Sequence, residues 1–215
     1  MADLIFYTNP MSRARTVRWM LEEVGAPYET VVMTFGPEMK SSQFLAINPM
    51  GKVPAIVHRG VPVTEGAAIC AYLADAFPAA GLAPAHGAPE RAAYYRWMFY
   101  AAGPLETAAT NAAFGWVAKD AKQEGPLGYG SLGRVEDTLE QVLKGEGWLA
   151  GAAFTAADLY LAAQLGFLMQ FDLISSRDAF KTFVDRAQSR PAAIRAREID
   201  NALMPEQPGG ASAGS

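Results

Sequence analysis

Asn48-Pro49-Met50-Gly51-Lys52-Val53-Pro54-Ala55, followed by Glu65-Gly66-Ala67-Ala68-Ile69, is the most informative segment of the chain. A Val-Pro peptide opens one short apolar run; a turn at Arg59-Gly60 returns a second, Val61 to Val63, into an acidic helix start. If Val53–Pro54 is cis, the Val53 N–H and C=O stay outside the sheet, free to pair with an extended peptide-like ligand. The next helix then presents main-chain N–H groups suited to a carboxylate, and Glu65 an anionic acceptor suited to an ammonium. Together these groups fit a small zwitterionic peptide.

Outward from this stretch, the first 78 residues alternate strand and helix. Asp3 to Thr8 is a short apolar run stopped by Asn9-Pro10 and reads as a buried strand. From Arg13 to Val24, the residues Val17, Met20, Leu21 and Val24 share one helical face, with Gly25 and Pro27 as a stop signal. Tyr28 to Met33 reads as a strand, Pro37 to Leu45 as a short helix, the two runs around Gly60 as a hairpin, and Glu65 to Ala76 as a third helix. The order is βαβαββα, an α/β arrangement matching a thioredoxin-like domain over residues 1–78. Residues 79–89, rich in Ala, Gly and Pro, read as a linker. An all-α domain follows over 90–204, with helices expected at about 90–117, 127–145, 155–171, 176–188 and 191–201. The Gly, Pro, Ser and Ala tail over 205–215 is expected to be disordered.

Composition excludes several function classes. A net charge of −4 leaves no electrostatic footprint for nucleic acid. No apolar run approaches a membrane span and residues 1 to 15 lack a secretory core, so the expected location is the cytoplasm. One cysteine, Cys70, rules out an internal disulfide, a Cys-x-x-Cys pair and a cysteine-based zinc cluster. The two histidines, His58 and His86, read as exposed loop residues, and no metal is expected.

The Asn-Pro-x-Gly-Lys-Val-Pro-Ala run, the Glu65-x-x-Ala68-Ile69 helix start and Tyr72-Leu73-Ala74 resemble the glutathione-binding half of cytosolic glutathione transferases. The resemblance extends to Met11-Ser12-Arg13 and Leu21-Glu22-Glu23-Val24-Gly25. It returns at Trp148-Leu149-Ala150-Gly151 and Phe154-Thr155-Ala156-Ala157-Asp158. It implies a glutathione S-transferase, with glutathione as co-substrate attacking a small, apolar electrophile, and a homodimer as the working unit. Glu65 then meets the γ-glutamyl ammonium, and Val53, shaped by Pro54, pairs with the cysteinyl segment. Lys40 and Lys52 are placed for the glycyl carboxylate, and Arg13 adds positive potential. Where the family usually carries a serine, this chain has Gly66: the N–H is kept and a hydroxyl is lost.

The chemistry requires a thiolate, and a free thiol of pKa ~8.5 is only about 3% ionised at pH 7. A hydroxyl beside a helix N-terminus supplies stabilisation, and two compete here, Ser12 and Tyr7. Ser12 also reads as a helix cap and Tyr7 as a core aromatic. Aligned back from Leu21-Glu22-Glu23 without gaps, the family's serine or threonine falls on Met11. Candidates for the electrophile's apolar wall are Met11, Phe35, Tyr100, Phe114 and Trp116. Glutathione-dependent isomerisation, dehalogenation or ether cleavage fit the same scaffold. A non-catalytic binding or regulatory protein is the alternative of another class. Thr155 and Asp158, preceded by Phe154 and followed by Leu159, read as a capping box with a hydrophobic staple, a structural element.

Overall fold

The computed structural model describes residues 3–204; the tail expected to be disordered lies outside the described residues. The first half runs β1 (Leu4–Thr8), α1 (Ala14–Val24), β2 (Glu29–Val32), a 3-10 turn (Pro37–Lys40), α2 (Ser42–Leu45), β3 (Ala55–His58), β4 (Val61–Thr64) and α3 (Gly66–Ala76). The sheet order is β2-β1-β3-β4, with β1 and β2 parallel and both other pairs antiparallel. Alternation along β1 sorts its side chains: Leu4, Phe6 and Thr8 are buried, while Ile5 and Tyr7 are half-buried. α1 buries Val17, Met20 and Leu21, and ends where Gly25 turns left-handed at φ 70° and donates its N–H to the Leu21 carbonyl.

The second half is helical: α4 (Glu90–Tyr100), a π-helical turn (Ala101–Leu105), α5 (Glu106–Ala113), α6 (Ala121–Glu124), α7 (Leu132–Leu143), α8 (Ala156–Gln170), α9 (Asp178–Gln188) and α10 (Pro191–Ala202). Two expected boundaries shift for local reasons. The helix expected over 90–117 is interrupted at the π turn, which contains Pro104, a residue with no N–H to donate. It stops at Phe114, before Gly115 at φ 70°. The helix expected over 127–145 starts at Leu132: Gly130 sits at φ 68°, and the Ser131 hydroxyl caps the Arg134 N–H.

One continuous core runs from the inner sheet face (Leu4, Phe6, Ile56) through α1 and α3 into α4 and α8 (Tyr94, Trp97, Leu159, Leu161). A smaller cluster of Met33, Met39, Phe44 and Ala55 packs against Tyr7 and Val31. The α8 start is the expected capping box, in which the Thr155 N–H and hydroxyl both reach Asp158 Oδ2, at 2.8 and 2.7 Å. The other Asp158 oxygen accepts the Leu149 N–H at 2.7 Å, so the box also fastens the Trp148–Gly151 turn. Among the described residues, no helix is long and apolar enough to cross a membrane.

Candidate functional site

Two Asn-Pro-Met sequences shape the site by the same device. The Asn48 side-chain oxygen accepts the Met50 N–H at 3.0 Å, and its amide donates to the Lys52 carbonyl at 2.7 Å. Asn9 repeats this with the Met11 N–H at 2.9 Å and the Met33 carbonyl at 2.8 Å. Both are Asx turns; the second bond of Asn48 closes its own loop four residues on, and that of Asn9 ties its loop to the distant end of β2. Sequence reading took Asn9-Pro10 as the end of a strand and Asn48 as part of a longer motif, and missed this bracing; the repeated Asn-Pro-Met was the available signal. Gly51, at φ 59°, lies so close to the Met39 carbonyl that a Cβ would come within 2.6 Å of it. The Lys40 ammonium donates to the Met50 and Gly51 carbonyls at 3.0 and 3.1 Å, while Lys52 is exposed.

This braced turn delivers a cis Val53–Pro54 peptide just ahead of β3. Among the described residues neither the N–H nor the C=O of Val53 is hydrogen-bonded, so both are open to an extended ligand. Across the hairpin, Glu65 has φ 66° and ψ 118°, a left-handed backbone for a residue with a Cβ. Such conformations cost about 1–3 kcal/mol and gather at functional sites. The Glu65 carboxylate is exposed and caps nothing, and its C=O accepts the Ile69 N–H at 2.8 Å. By helix geometry the N–H groups of Gly66, Ala67 and Ala68 then have no acceptor within α3.

The two hydroxyls proposed for the thiol part company. Ser12 is half-buried at the head of α1, and its Oγ donates to the Asn9 carbonyl at 2.7 Å and accepts the Ala14 N–H at 3.1 Å. It lines a cavity of about 710 Å³ together with Met11, Trp19, Phe167, Phe171 and Met204. Tyr7 lies outside that lining, its ring 5.6 Å from the Phe44 ring in the smaller core. Of the expected apolar wall, Met11 lines the cavity, and Phe35, Tyr100, Phe114 and Trp116 do not. The helical side comes from α8, α9 and α10. A one-dimensional reading of aromatics had no means to orient those helices.

Arg13 is neutralised by Glu106 at 2.7 Å, so it adds little free positive potential. Gln164 joins this pair, accepting from Arg13 at 3.4 Å and donating to Glu106 at 3.2 Å and to Tyr160 at 3.0 Å. Cys70 is fully buried and its thiol is pushed up by burial, so it stays protonated. His58 departs from expectation: it is 4% exposed at the end of β3, bonded to the Tyr72 hydroxyl at 2.9 Å and stacked on Phe77. His86 is exposed. Among the described residues no cluster of His, Cys, Asp or Glu is placed to hold a metal.

Comparison with known proteins covers both halves. Residues 2–75 match the glutathione S-transferase N-terminal domain and residues 119–191 its C-terminal domain. The glutathione S-transferase GST-4.5 of Xanthomonas campestris pv. campestris is 31% identical over 164 residues, 74% of this chain and 79% of that protein. GstA of Escherichia coli O157:H7 is 30% identical over 165 residues, 76% of this chain and 78% of that protein. The solved structure of a sphingomonad glutathione S-transferase, complexed with glutathione, superposes with a TM-score of 0.72 at 26% identity, covering 92% of this chain and 98% of that one. Agreement in sequence and architecture along most of its length places the chain in the glutathione S-transferase family.

Proposed function

We propose that this protein binds glutathione along the Val53–Gly66 hairpin and activates its thiol for attack on a small electrophile. The cysteinyl segment pairs with the free Val53 peptide groups, in the manner of strand addition. The γ-glutamyl ammonium meets the Glu65 carboxylate, and its carboxylate meets the open N–H groups of α3. Lys40 and Lys52 flank the glycyl end. Ser12, at the head of α1, faces the thiol, and the electrophile occupies the cavity behind it, against Met11, Phe167 and Phe171. The working unit is a homodimer, for which Tyr95 and Phe99 form a stacked, exposed pair on α4 and Val61 is exposed on the edge strand β4. Sedimentation at the mass of a single chain would remove the dimer from this reading.

The left-handed Glu65 carries the proposal, because among the described residues its exposed side chain makes no hydrogen bond or ion pair that would offset the cost of that conformation. Calorimetric titration with glutathione tests it. We expect wild-type affinity between micromolar and millimolar, and loss of at least ten-fold in Glu65→Ala as a charge-assisted bond disappears. A folded wild type that ignores glutathione would leave the other reading, a binding protein on a transferase scaffold. Gly66, with one hydroxyl fewer, is the observation in favour of that second reading.

A further inference from the structure

The hydroxyl missing at residue 66 has a counterpart in the other half of the molecule. A Cβ built on Gly66 would lie 3.4 Å from Tyr160 Cε2 and 3.8 Å from Tyr160 Oη, so the phenol end of an α8 side chain reaches the head of α3. Tyr160 is only 7% exposed. Its oxygen accepts from Gln164 Nε2. The amide cannot profitably turn over: Arg13 donates to its oxygen, and its nitrogen faces the Glu106 carboxylate. Among the described residues, the Tyr160 proton therefore meets no acceptor of its own, a buried donor left open beside an uncapped helix start.

The geometry points to Tyr160 as a recognition residue for the ligand's α-carboxylate, its phenol donating the hydrogen bond that Gly66 cannot. This rests on the placement of glutathione proposed above and assigns one carboxylate contact to the helical domain. Burial pushes the phenol up to about 12, so the donor keeps its proton throughout the neutral range. Arg13 and Glu106 complete the set of charges facing it, with Cys70 protonated beneath.

The experiment is calorimetric titration of Tyr160→Phe with glutathione and with the analogue lacking the γ-glutamyl α-carboxylate. Glutathione affinity should fall about five-fold, the worth of one hydrogen bond, while the analogue binds both proteins alike. Gly66→Ser in the Tyr160→Phe background should restore the loss, since the added Cβ makes only ordinary contact with the ring. Unchanged glutathione affinity, or equal weakening for both ligands, overturns the assignment and leaves the glutathione site intact. If Tyr160→Phe fails to fold, Gly66→Ser alone decides: a change within two-fold supports a contact already supplied, and a five-fold tightening refutes it. A wild type that does not bind glutathione defeats the underlying site and this assignment together.

Discussion

Ser12 donates to the Asn9 carbonyl, so acting on a thiol requires its hydroxyl to rotate toward the cavity while still accepting the Ala14 N–H. A hydrogen bond to a charged acceptor contributes about 1.5–3 kcal/mol, which corresponds to about 1–2 pH units in the bound thiol's pKa. Ser12→Ala should therefore raise the pKa of bound glutathione by that amount and cut the thiolate fraction at neutral pH. Thiolate absorbance followed as a function of pH measures it, and an unshifted curve would return Ser12 to a purely capping role. Removing the cap should separately cost about 1 kcal/mol in stability, readable by urea unfolding. At this scale the Val53–Pro54 turn and the helix start at Glu65 were legible as a pattern, because both are local to one hairpin, and the ligand contacts of these residues belong to the proposal above. The approach of Tyr160 to residue 66 was not, since no periodicity brings an α8 phenol there.

Elements were legible wherever a stop signal was chemical. Gly25 ended α1, and Thr155 and Asp158 opened α8, as their residue types require. The elements misread were those set by backbone strain or missing donors: Pro104 inside the π turn, and Gly130 before α7. The residues of the expected staple, Leu159 and Phe154, are both buried in the main core, where Phe154 has aromatic partners besides. Its ring lies 4.9 Å from Trp148 and 6.2 Å from Trp19, with the Arg190 guanidinium 4.0 Å above it. Asp158 serves three donors on two elements, whereas the Thr155 side chain serves only the box. Thr155→Ala should thus lose about 1 kcal/mol, and Asp158→Ala several-fold more, because it strands buried N–H groups of Leu149 and Thr155. Chemical denaturation of the two variants checks the order, and equal losses would mean that the Leu149 bond contributes nothing.

For the whole molecule, what joins the two halves was invisible in the sequence. Arg18 and Asp200, 182 positions apart, form a buried pair at 3.0 Å between α1 and α10, each about 1–2% exposed at its side chain. Arg18 also bonds the Tyr28 and Thr30 hydroxyls at 3.1 and 3.0 Å and lies 5.0 Å from the Phe6 ring centre, so one guanidinium links the sheet, α1 and the last helix. The pair is incompletely satisfied: Arg18 Nη2 and Asp200 Oδ2 have no partner among the described residues. Burial outweighs Arg18 and holds the Asp200 carboxyl above its ordinary value. A raised folded value means that this group's contribution is full below the unfolded pKa of ~3.9 and declines as pH rises through the folded one. At neutral pH the pair therefore specifies how the halves dock more than it stabilises them. Asp200→Ala should cost about 3–5 kcal/mol by leaving Arg18 uncompensated, and adding Arg18→Met should recover much of that loss. A double-mutant cycle in urea measures the coupling, and single costs that simply add would show that the two charges do not act as a pair.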